Sequence, residues 1–318
     1  MMCMQMPLSL RKGYIQLHVF KPYHRVPLLV FVIYILTSLS SFVTFEQGQY
    51  GTQTFFAVLV LQIITFVLPG LFYCRINGAD EIKKLNLRPF GVRSLLFVIP
   101  ASLLLFLASA LIRLLGLYLS GGQYVPTVST GGISATNAVF LLLVYCVCPA
   151  ICEEFVFRGI VLSSYRQYGI FCSITVSAAL FAMLHFSITD FPLYFVSGVI
   201  LASTALITRS VFPCMIMHFL NNAFVIFFED YLWQMIVRPN NIALFVFIVG
   251  ALFLLLLFIC LSHAEEIVYR YSSVIDEKEN PPKKEFIATV RDFLISVLSP
   301  SFLMCVVYYA IASIVKLK

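Results

Sequence analysis

Three apolar stretches of the chain contain ionisable and amide side chains, which are costly in such surroundings. A charged group at the centre of a membrane-spanning helix costs about 2.5 to 3.5 kcal/mol on the insertion scale, so it persists where a partner or a function retains it. Two carboxylates, two imidazoles and amides in separate stretches therefore predict one functional site. The residues are Glu153, Glu154 and Arg158 in VCPAICEEFVFRGIVL, His185 in SAALFAMLHFS, and His218, Asn221 and Asn222 in PCMIMHFLNNAF.

Helical spacing separates the two adjacent glutamates. Residues four apart lie on one face of a helix, whereas adjacent residues diverge by about 100°. We therefore expect Glu154 and Arg158 to form an ion pair that offsets the burial of both charges. Glu153 then faces another direction without a local cation, and this position suits a group that accepts and returns a proton near neutral pH. Glu153 is the better candidate for a general base.

The two histidines have different local partners. His218 and Asn222 share a helix face one turn apart, so their side chains can hydrogen-bond a developing oxyanion. His185 follows Phe181 by four residues, and we expect the two rings to pack together. Simpler interpretations stay open at this point. The Glu154–Arg158 pair alone is compatible with a structural role, and each histidine alone is compatible with a hydrogen bond between helices.

The elements that carry these residues are predicted to be membrane-spanning helices. Hydrophobic residues make up 61% of the 318 residues, charged residues make up 11%, and the mean hydropathy is +0.96. Soluble proteins carry about 25% charged residues, so this composition excludes a soluble particle, and a nucleic-acid partner is set aside despite the net charge of +6. Continuous apolar runs select α-helices, because only helices and closed barrels pair all their backbone groups within lipid.

The apolar runs predict an all-α, polytopic transmembrane bundle of eight or nine helices. Each run is close to or longer than the roughly 18 to 20 residues that a spanning helix needs. Residues 120–136 are rich in Gly, Ser and Thr and predict a loop, so the next helix is expected to start near Asn137. The runs free of Asp, Glu, Lys and Arg are 26–45, 47–74, 94–112, 114–152, 167–189, 191–208, 210–228, 239–264 and 293–315.

The polar residues must lie at similar depths in the membrane if they form one site. Both glutamates fall near the middle of the fourth helix, and His218 falls near the middle of its own run. At 1.5 Å rise per residue, His185 falls about 5 to 8 Å nearer the outer end of 167–189, so convergence requires this helix to be displaced or tilted. Arg113 lies near a helix end and is expected to extend its side chain to the membrane interface.

Basic residues concentrate on one side of the membrane when nine spans alternate. Most of the 21 Lys and Arg residues fall on the side of the N-terminus, so the positive-inside rule predicts a cytoplasmic N-terminus. The first apolar stretch follows four basic residues and is long enough to span, so we interpret it as a helix rather than a cleavable signal. The nine cysteines form no CxxC pair and are interpreted as small apolar residues.

We divide the chain into three parts on these patterns. Residues 1–136 carry the N-terminal transmembrane helices and loops. Residues 137–230 form the core that carries the polar residues. Residues 231–318 carry the C-terminal transmembrane helices, with a cytoplasmic loop at 263–291.

At the polar residues the sequence resembles the CPBP family of intramembrane proteases, which includes the CAAX prenyl endopeptidases and bacterial relatives. That family carries EExxxR, FxxxH and HxxxN on successive core helices. The resemblance covers roughly residues 137–230, and elsewhere the chain matches only in being hydrophobic. The matching segments are Glu153-Glu154-Phe-Val-Phe-Arg158, Phe181-Ala-Met-Leu-His185 and His218-Phe-Leu-Asn-Asn222, in the family's order.

A second EExxxR segment occurs at Glu265-Glu266-Ile-Val-Tyr-Arg270. It lies beside a charged loop, and no His-bearing helix follows it. We interpret it as the solvated or interfacial start of a helix. The EExxxR motif therefore indicates a functional site only when FxxxH and HxxxN follow it in order.

The resemblance implies hydrolysis of a peptide bond in a membrane-associated or lipidated protein or peptide. In this interpretation Glu153 activates water with help from His185. His218 and Asn222 stabilise the tetrahedral oxyanion, and the Glu154–Arg158 pair holds the site together. The implied partners are the lipid bilayer and a peptide or protein substrate.

A zinc mechanism is the alternative within this family. Glu153, His185 and His218 form a possible zinc ligand set, whereas the HExxH signature of soluble metalloproteases is absent from the sequence. A neutral asparagine suits an oxyanion site better than a metal site. The glutamate mechanism without a cofactor is therefore favoured over zinc.

Two other classes of function compete with a protease. Intramembrane Glu, His and Arg residues also build ion paths and proton relays, but a transporter is expected to show inverted repeats and interrupted helices at related positions, and the sequence shows neither. A non-catalytic immunity or scaffold protein of the same fold is the third possibility. The intact trio of motifs argues against it.

Overall fold

The computed structural model describes residues 21–40, 52–119, 135–237, 242–272 and 285–316, and these ranges are helical apart from short turns and contain no β-strand. This confirms the predicted all-α, polytopic bundle. The helices are α1 (Pro22–Ser40), α2 (Thr52–Gln62, continuing through Ile63–Val67 to Leu68–Asn77), α3 (Ala79–Lys84), α4 (Val92–Leu119), α5 (Ala135–Leu141 through Ser163–Tyr165), α6 (Ile170–Met183), α7 (Phe191–Thr208), α8 (Phe212–Val237), α9 (Ile242–Ser272), α10 (Phe286–Val297) and α11 (Pro300–Lys316).

Six of these helices are long and apolar enough to cross a membrane, and the bent pair α10–α11 makes a seventh span if it counts as one. The predicted loop at 120–136 lies almost wholly outside the described residues, and α5 begins at Ala135, two residues before the predicted start. α5 then runs on beyond Arg158 to Tyr165, and a short 3₁₀ turn extends the span to Tyr168.

Two of the predicted spans are shorter than expected. The run 167–189 forms only Ile170–Met183, and the apolar part of α8 is Phe212–Phe228. At 1.5 Å per residue the first of these is about 21 Å long, which is less than the roughly 30 Å of a hydrocarbon core. α6 ends just before His185, and α8, which continues to Val237, carries His218.

The C-terminal part of the chain departs from the prediction in two places. The run 293–315 is not one helix, because Pro300 starts a new helix after a bend of 58°; proline lacks the N–H that would continue a helix. The predicted loop 263–291 is helical up to Ser272 and again from Phe286, and residues 273–284 lie outside the described residues. The second EExxxR segment is therefore the end of α9 and not a helix start.

The second half of α5 is surrounded by protein. Every residue from 156 to 165 is buried, and the side chains are apolar on nearly all sides, as expected for a helix with no solvent-facing surface. This half of α5 includes Arg158, so its charge lies in the interior of the bundle. The eight cysteines in the described residues are buried and free of disulfides, in agreement with their interpretation as apolar side chains.

A close backbone approach joins α6 and α7 near the polar residues. A β-carbon placed on Gly198 would lie 2.9 Å from the α-carbon of Ala178 and 3.0 Å from its β-carbon. Real β-carbons do not approach backbone atoms this closely, so only glycine fits at this crossing. The carbonyl of Gly198 also accepts a hydrogen bond from Arg158, so the crossing supports the predicted site directly.

We predict that Gly198→Ala lowers the stability of the bundle. The added methyl group overpacks the α6–α7 crossing, and such changes cost about 1 to 3 kcal/mol. The matched control is Gly250→Ala, because its added β-carbon meets nothing closer than Leu111 at 4.0 Å and alanine is about 1 kcal/mol better than glycine within a helix. Thermal unfolding of both variants in detergent tests this, and equal midpoints for the two would refute it.

Candidate active site

A buried ion pair lies at the centre of the site. Arg158 donates from Nη1 to Oε1 of Glu154 at 2.8 Å, and both side chains are fully buried. The two residues are one helical turn apart on α5, which confirms the face sharing predicted from their spacing. A second guanidinium nitrogen, Nη2, donates to the carbonyl of Gly198 at 3.4 Å.

The same carboxylate oxygen of Glu154 also binds a histidine. Nδ1 of His218 lies 2.8 Å from Oε1 of Glu154, which connects α8 to α5 across 64 residues of sequence. An ionised carboxylate only accepts hydrogen bonds, and the adjacent guanidinium favours that form, so Nδ1 of the imidazole is the donor. The bond leaves Nε2 as the second functional nitrogen of His218.

An aromatic ring links the charged residues to both histidines. The guanidinium carbon of Arg158 lies 4.4 Å from the ring centroid of Phe181, a distance at which a cation is attracted to the ring face. The edge-to-face neighbours of Phe181 are His185 at 5.2 Å and His218 at 5.8 Å between centroids. The predicted packing of Phe181 with His185 is therefore confirmed.

The second histidine lies in a turn and not within a helix. α6 ends at Met183, and a turn with a left-handed residue at Phe186 (φ 48°) follows it. His185 lies in this turn, with Nδ1 3.2 Å from the carbonyl oxygen of Phe181 and its ring stacked on Tyr194 at 3.5 Å and 13°. The early end of the helix places His185 at the site, whereas the sequence had suggested displacement or tilt of a longer helix.

A central cavity of about 510 Å³ brings the predicted residues together. Its polar wall includes Glu153, His185, His218, Asn221 and Asn222. Glu154 and Arg158 are absent from the lining of the cavity, and they lie behind His218 as its support. The spacing argument that placed the two glutamates on different faces is consistent with this division.

The asparagine of the third motif is held from a second helix. Nδ2 of Asn222 donates to the carbonyl of Tyr145 at 3.3 Å. Tyr145 belongs to Leu142–Val147, a π-helical segment of α5, and such segments often occur at functional sites. An asparagine amide has two N–H donors, so the contact with Tyr145 leaves one for a ligand in the cavity.

Arg113 does not reach the membrane interface as the sequence suggested. Its residue is 9% exposed and it lines the central cavity. The cause is that α4 continues to Leu119, so Arg113 lies well inside the helix and not at its end.

The zinc alternative receives no support from the arrangement of side chains. In the part of the chain that the structure describes, no group of three His, Cys, Asp or Glu residues is placed to hold a metal ion. His218 also uses one of its two nitrogens for Glu154. Glu153, His185 and His218 would therefore have to move closer together before they could share an ion.

Two contacting residues of the site were missed from the sequence. Tyr194 lies in the first turn of α7 and stacks on the ring of His185, and no spacing rule connects the two. Gln62 donates from Nε2 to the carbonyl of Val144 at 3.0 Å, next to the carbonyl that Asn222 binds. An amide within a long apolar run was the available signal for Gln62.

Comparisons with known proteins indicate the family. The family described as type II CAAX prenyl endopeptidase Rce1-like matches residues 135–224, the segment that contains all three motifs. The membrane-embedded CAAX protease MroQ of Staphylococcus aureus (strain USA300) is 27% identical over 223 residues, which cover 64% of this chain and 88% of that protein. Both matches support a CPBP family intramembrane protease. No solved structure is significantly similar to the chain.

The similarity to CAAX proteases has three coarse consequences. The chain is an integral, multi-pass membrane protein, in agreement with its apolar helices. The family supports intramembrane endopeptidase activity in general, which favours a protease over the transporter suggested by the buried charges alone. A protease of this family has a peptide or protein substrate at the membrane.

We predict that the two EExxxR segments of the chain respond very differently to loss of the arginine. Arg158→Met leaves the buried Glu154 carboxylate without its cation, and breaking a buried pair costs about 3 to 5 kcal/mol. The control is Arg270→Met, because the pair with Glu266 has the same spacing but side chains 52% and 54% exposed, and exposed pairs contribute about 0 to 1 kcal/mol. Unfolding of both variants in detergent measures the difference. A comparable loss of stability in the two variants would show that burial of the Glu154–Arg158 pair does not increase its contribution to stability.

Proposed function

We propose that the chain is an intramembrane endopeptidase that hydrolyses a peptide bond of a membrane-associated or lipidated protein with a water activated by Glu153. The observation that carries this proposal is the central cavity, whose wall contains Glu153, His185, His218 and Asn222. These are one candidate base, two imidazoles and one amide donor. A peptide carbonyl in this cavity would lie among all the groups that acyl transfer requires.

In the proposed reaction Glu153 is the general base. A water molecule gives a proton to the Glu153 carboxylate while its oxygen attacks the peptide carbonyl carbon. The tetrahedral intermediate then expels the amine, and the proton passes from Glu153 to the leaving nitrogen. His185 assists by a hydrogen bond to the water, and its stacking on Tyr194 and its bond to Phe181 limit the directions in which its ring can point.

The oxyanion is proposed to bind His218 and Asn222. The carboxylate of Glu154 fixes the orientation of the His218 ring, and an imidazolium in this orientation presents an Nε2–H donor as well. The bond between His218 and Glu154 at 2.8 Å therefore supports His218 as a donor to negative charge. Preorganised donors of this kind are each worth about 10² to 10³ in rate. Glu154 and Arg158 act through His218 and are positioning residues.

The lining of the central cavity supports an apolar substrate chain. Beside the polar groups, its wall consists of side chains from α4, α5, α7 and α8, among them Leu105, Leu141, Leu193, Leu201, Val225 and Ile226. Apolar pockets with a few convergent polar groups are typical of substrate sites. We propose a lipidated or hydrophobic peptide tail as the substrate. A prenylated CAAX tail is one such substrate, by analogy with the names of the similar proteins.

The proposed orientation places the N-terminus in the cytoplasm. The support is the distribution of basic residues described above, which concentrate on one side when the spans alternate.

We expect Glu153→Gln to abolish proteolysis without loss of fold. The amide cannot accept the proton of water, and loss of a general base reduces the rate by about 10² to 10⁴. The matched control is Glu265→Gln, the first glutamate of the second EExxxR segment, which is exposed on α9 and should leave the rate unchanged. The measurement uses protein in lipid nanodiscs and internally quenched peptides with a CAAX end, with and without a farnesyl group. Full activity of Glu153→Gln on a peptide that the unaltered protein cleaves would remove Glu153 as the base.

Metal dependence has a separate test. We expect chelator-treated protein to retain its activity and to hold less than one zinc per chain by elemental analysis, because the proposed mechanism needs only the chain's own groups. The same nanodisc preparation and peptides serve for both measurements. Loss of activity on chelation, restored by added zinc, would instead support Glu153, His185 and His218 as zinc ligands.

A further inference from the structure

A second cavity reaches the same two residues from other helices. This polar cavity, of about 410 Å³, is formed by α1, α2, α5 and the turn after α6. Among the described residues that line either cavity, only Glu153 and His185 line both. The proposed base and its histidine therefore form the boundary between two separate spaces.

Part of the wall of the polar cavity can bind water, while apolar side chains such as Leu61 and Phe66 line the rest. Four of its lining residues carry hydroxyl or amide groups, in addition to the two shared residues: Thr37, Ser40, Gln62 and Thr65. A cavity holds water when it is roomy and offers each molecule two to four polar partners, whereas apolar cavities remain dry. The volume of the polar cavity is far above the roughly 10 to 15 Å³ that one water requires.

Two oxygens at this cavity need donors. Within the described residues, Oε2 of Glu153 and Oε1 of Gln62 are buried and have no hydrogen-bond partner. Buried polar atoms are almost always hydrogen-bonded. Both atoms accept hydrogen bonds when Glu153 is ionised, so they cannot satisfy each other. A molecule with two O–H donors satisfies both.

The amide of Gln62 is fixed in one orientation. Its Nε2 donates to the carbonyl of Val144 at 3.0 Å, so Oε1 is the free end of the side chain. Val144 and Tyr145 are adjacent in the π-helical segment Leu142–Val147. The carbonyl of Val144 accepts a hydrogen bond from Gln62, and the carbonyl of Tyr145 accepts one from Asn222. Two adjacent residues of α5 therefore orient both amide side chains.

We propose that Gln62 positions the attacking water against Glu153, and that this water arrives through the polar cavity while the peptide occupies the central cavity. This inference rests on the proposed function. Gln62 accepts one proton of the water in a hydrogen bond, Glu153 accepts the other, and the lone pair of the oxygen is then directed away from both acceptors. Gln62 is a positioning residue of the reaction.

The test compares the same substitution at two glutamines. Gln62→Leu removes the acceptor but keeps a branched side chain of similar size. Gln167→Leu is the control, because its amide also donates to a backbone carbonyl, that of Ser164, but it lines neither cavity. Misplacement of a reacting group costs up to about 100-fold in rate. We expect kcat of Gln62→Leu to fall about 10- to 100-fold with little change in KM, and Gln167→Leu to match the unaltered protein.

A second readout is independent of activity. X-ray hydroxyl-radical footprinting in nanodiscs labels side chains beside bound water, and Phe66 and Leu184 line the polar cavity although they are only 6% and 5% exposed. We expect both to be labelled in the unaltered protein and less so in Gln62→Leu. If Gln62→Leu does not fold, the nearly isosteric Thr65→Val replaces it, again with weaker labelling expected.

The outcomes separate the inference from the function on which it rests. A Gln62→Leu variant with unchanged kcat, or with unchanged labelling, overturns the positioning role. Absence of labelling at Phe66 and Leu184 in the unaltered protein overturns the water path. If the unaltered protein cleaves none of the quenched peptides, the proposed function fails, and labelling that responds to Gln62→Leu still supports ordered water beside Glu153.

Discussion

A single buried carboxylate oxygen connects the first and third polar motifs of this protein. Oε1 of Glu154 accepts from Arg158 on the same helix and lies 2.8 Å from Nδ1 of His218 on another. Charges in the bundle interior are tolerated only when they are paired and hydrogen-bonded. The need to satisfy this oxygen therefore fixes α8 against α5. Phe181, which lies under the guanidinium at 4.4 Å, brings the end of α6 to the same point.

Irregular helical geometry in α5 accompanies the hydrogen bonds that orient the amide side chains of the site. α5 contains two π-helical segments, one before and one after the paired glutamates. Such segments shift the direction of side chains and expose backbone carbonyls to new partners. In α5 the carbonyls of Val144 and Tyr145 receive amides from two different helices. α6, in turn, is too short to span, and its early end turns His185 toward the cavity.

The sequence predicts the parts of this site that depend on local spacing. Glu154 and Arg158 pair because residues four apart share a helix face, and the same rule separates Glu153 from them. The membrane class follows from hydrophobicity alone. The coincidence of three polar motifs in apolar runs is what identifies the site residues as candidates, and the structure places five of them on the wall of one cavity.

Spacing rules relate residues within one helix and could not predict contacts between residues on different helices. Tyr194 stacks on His185 and Gln62 binds Val144, and no periodic pattern records either pair. Hydropathy also could not distinguish a spanning helix from a short one, so the runs that became α6 and α10–α11 were predicted too long or too straight. Arg113 was misplaced for a related reason, because the true end of α4 lies six residues beyond it.

The crossing at Gly198 has a bearing on how the protein admits a bulky ligand. At this crossing the backbones of α6 and α7 are in direct contact, with no side chain between them that could change its rotamer. The two helices are therefore expected to move as one rigid unit. α8 packs on α7 through ordinary side chains, among them Met217, which can adopt other rotamers. A movement that widens the central cavity is therefore expected to shift α8 relative to α7 and to leave the α6–α7 crossing unchanged.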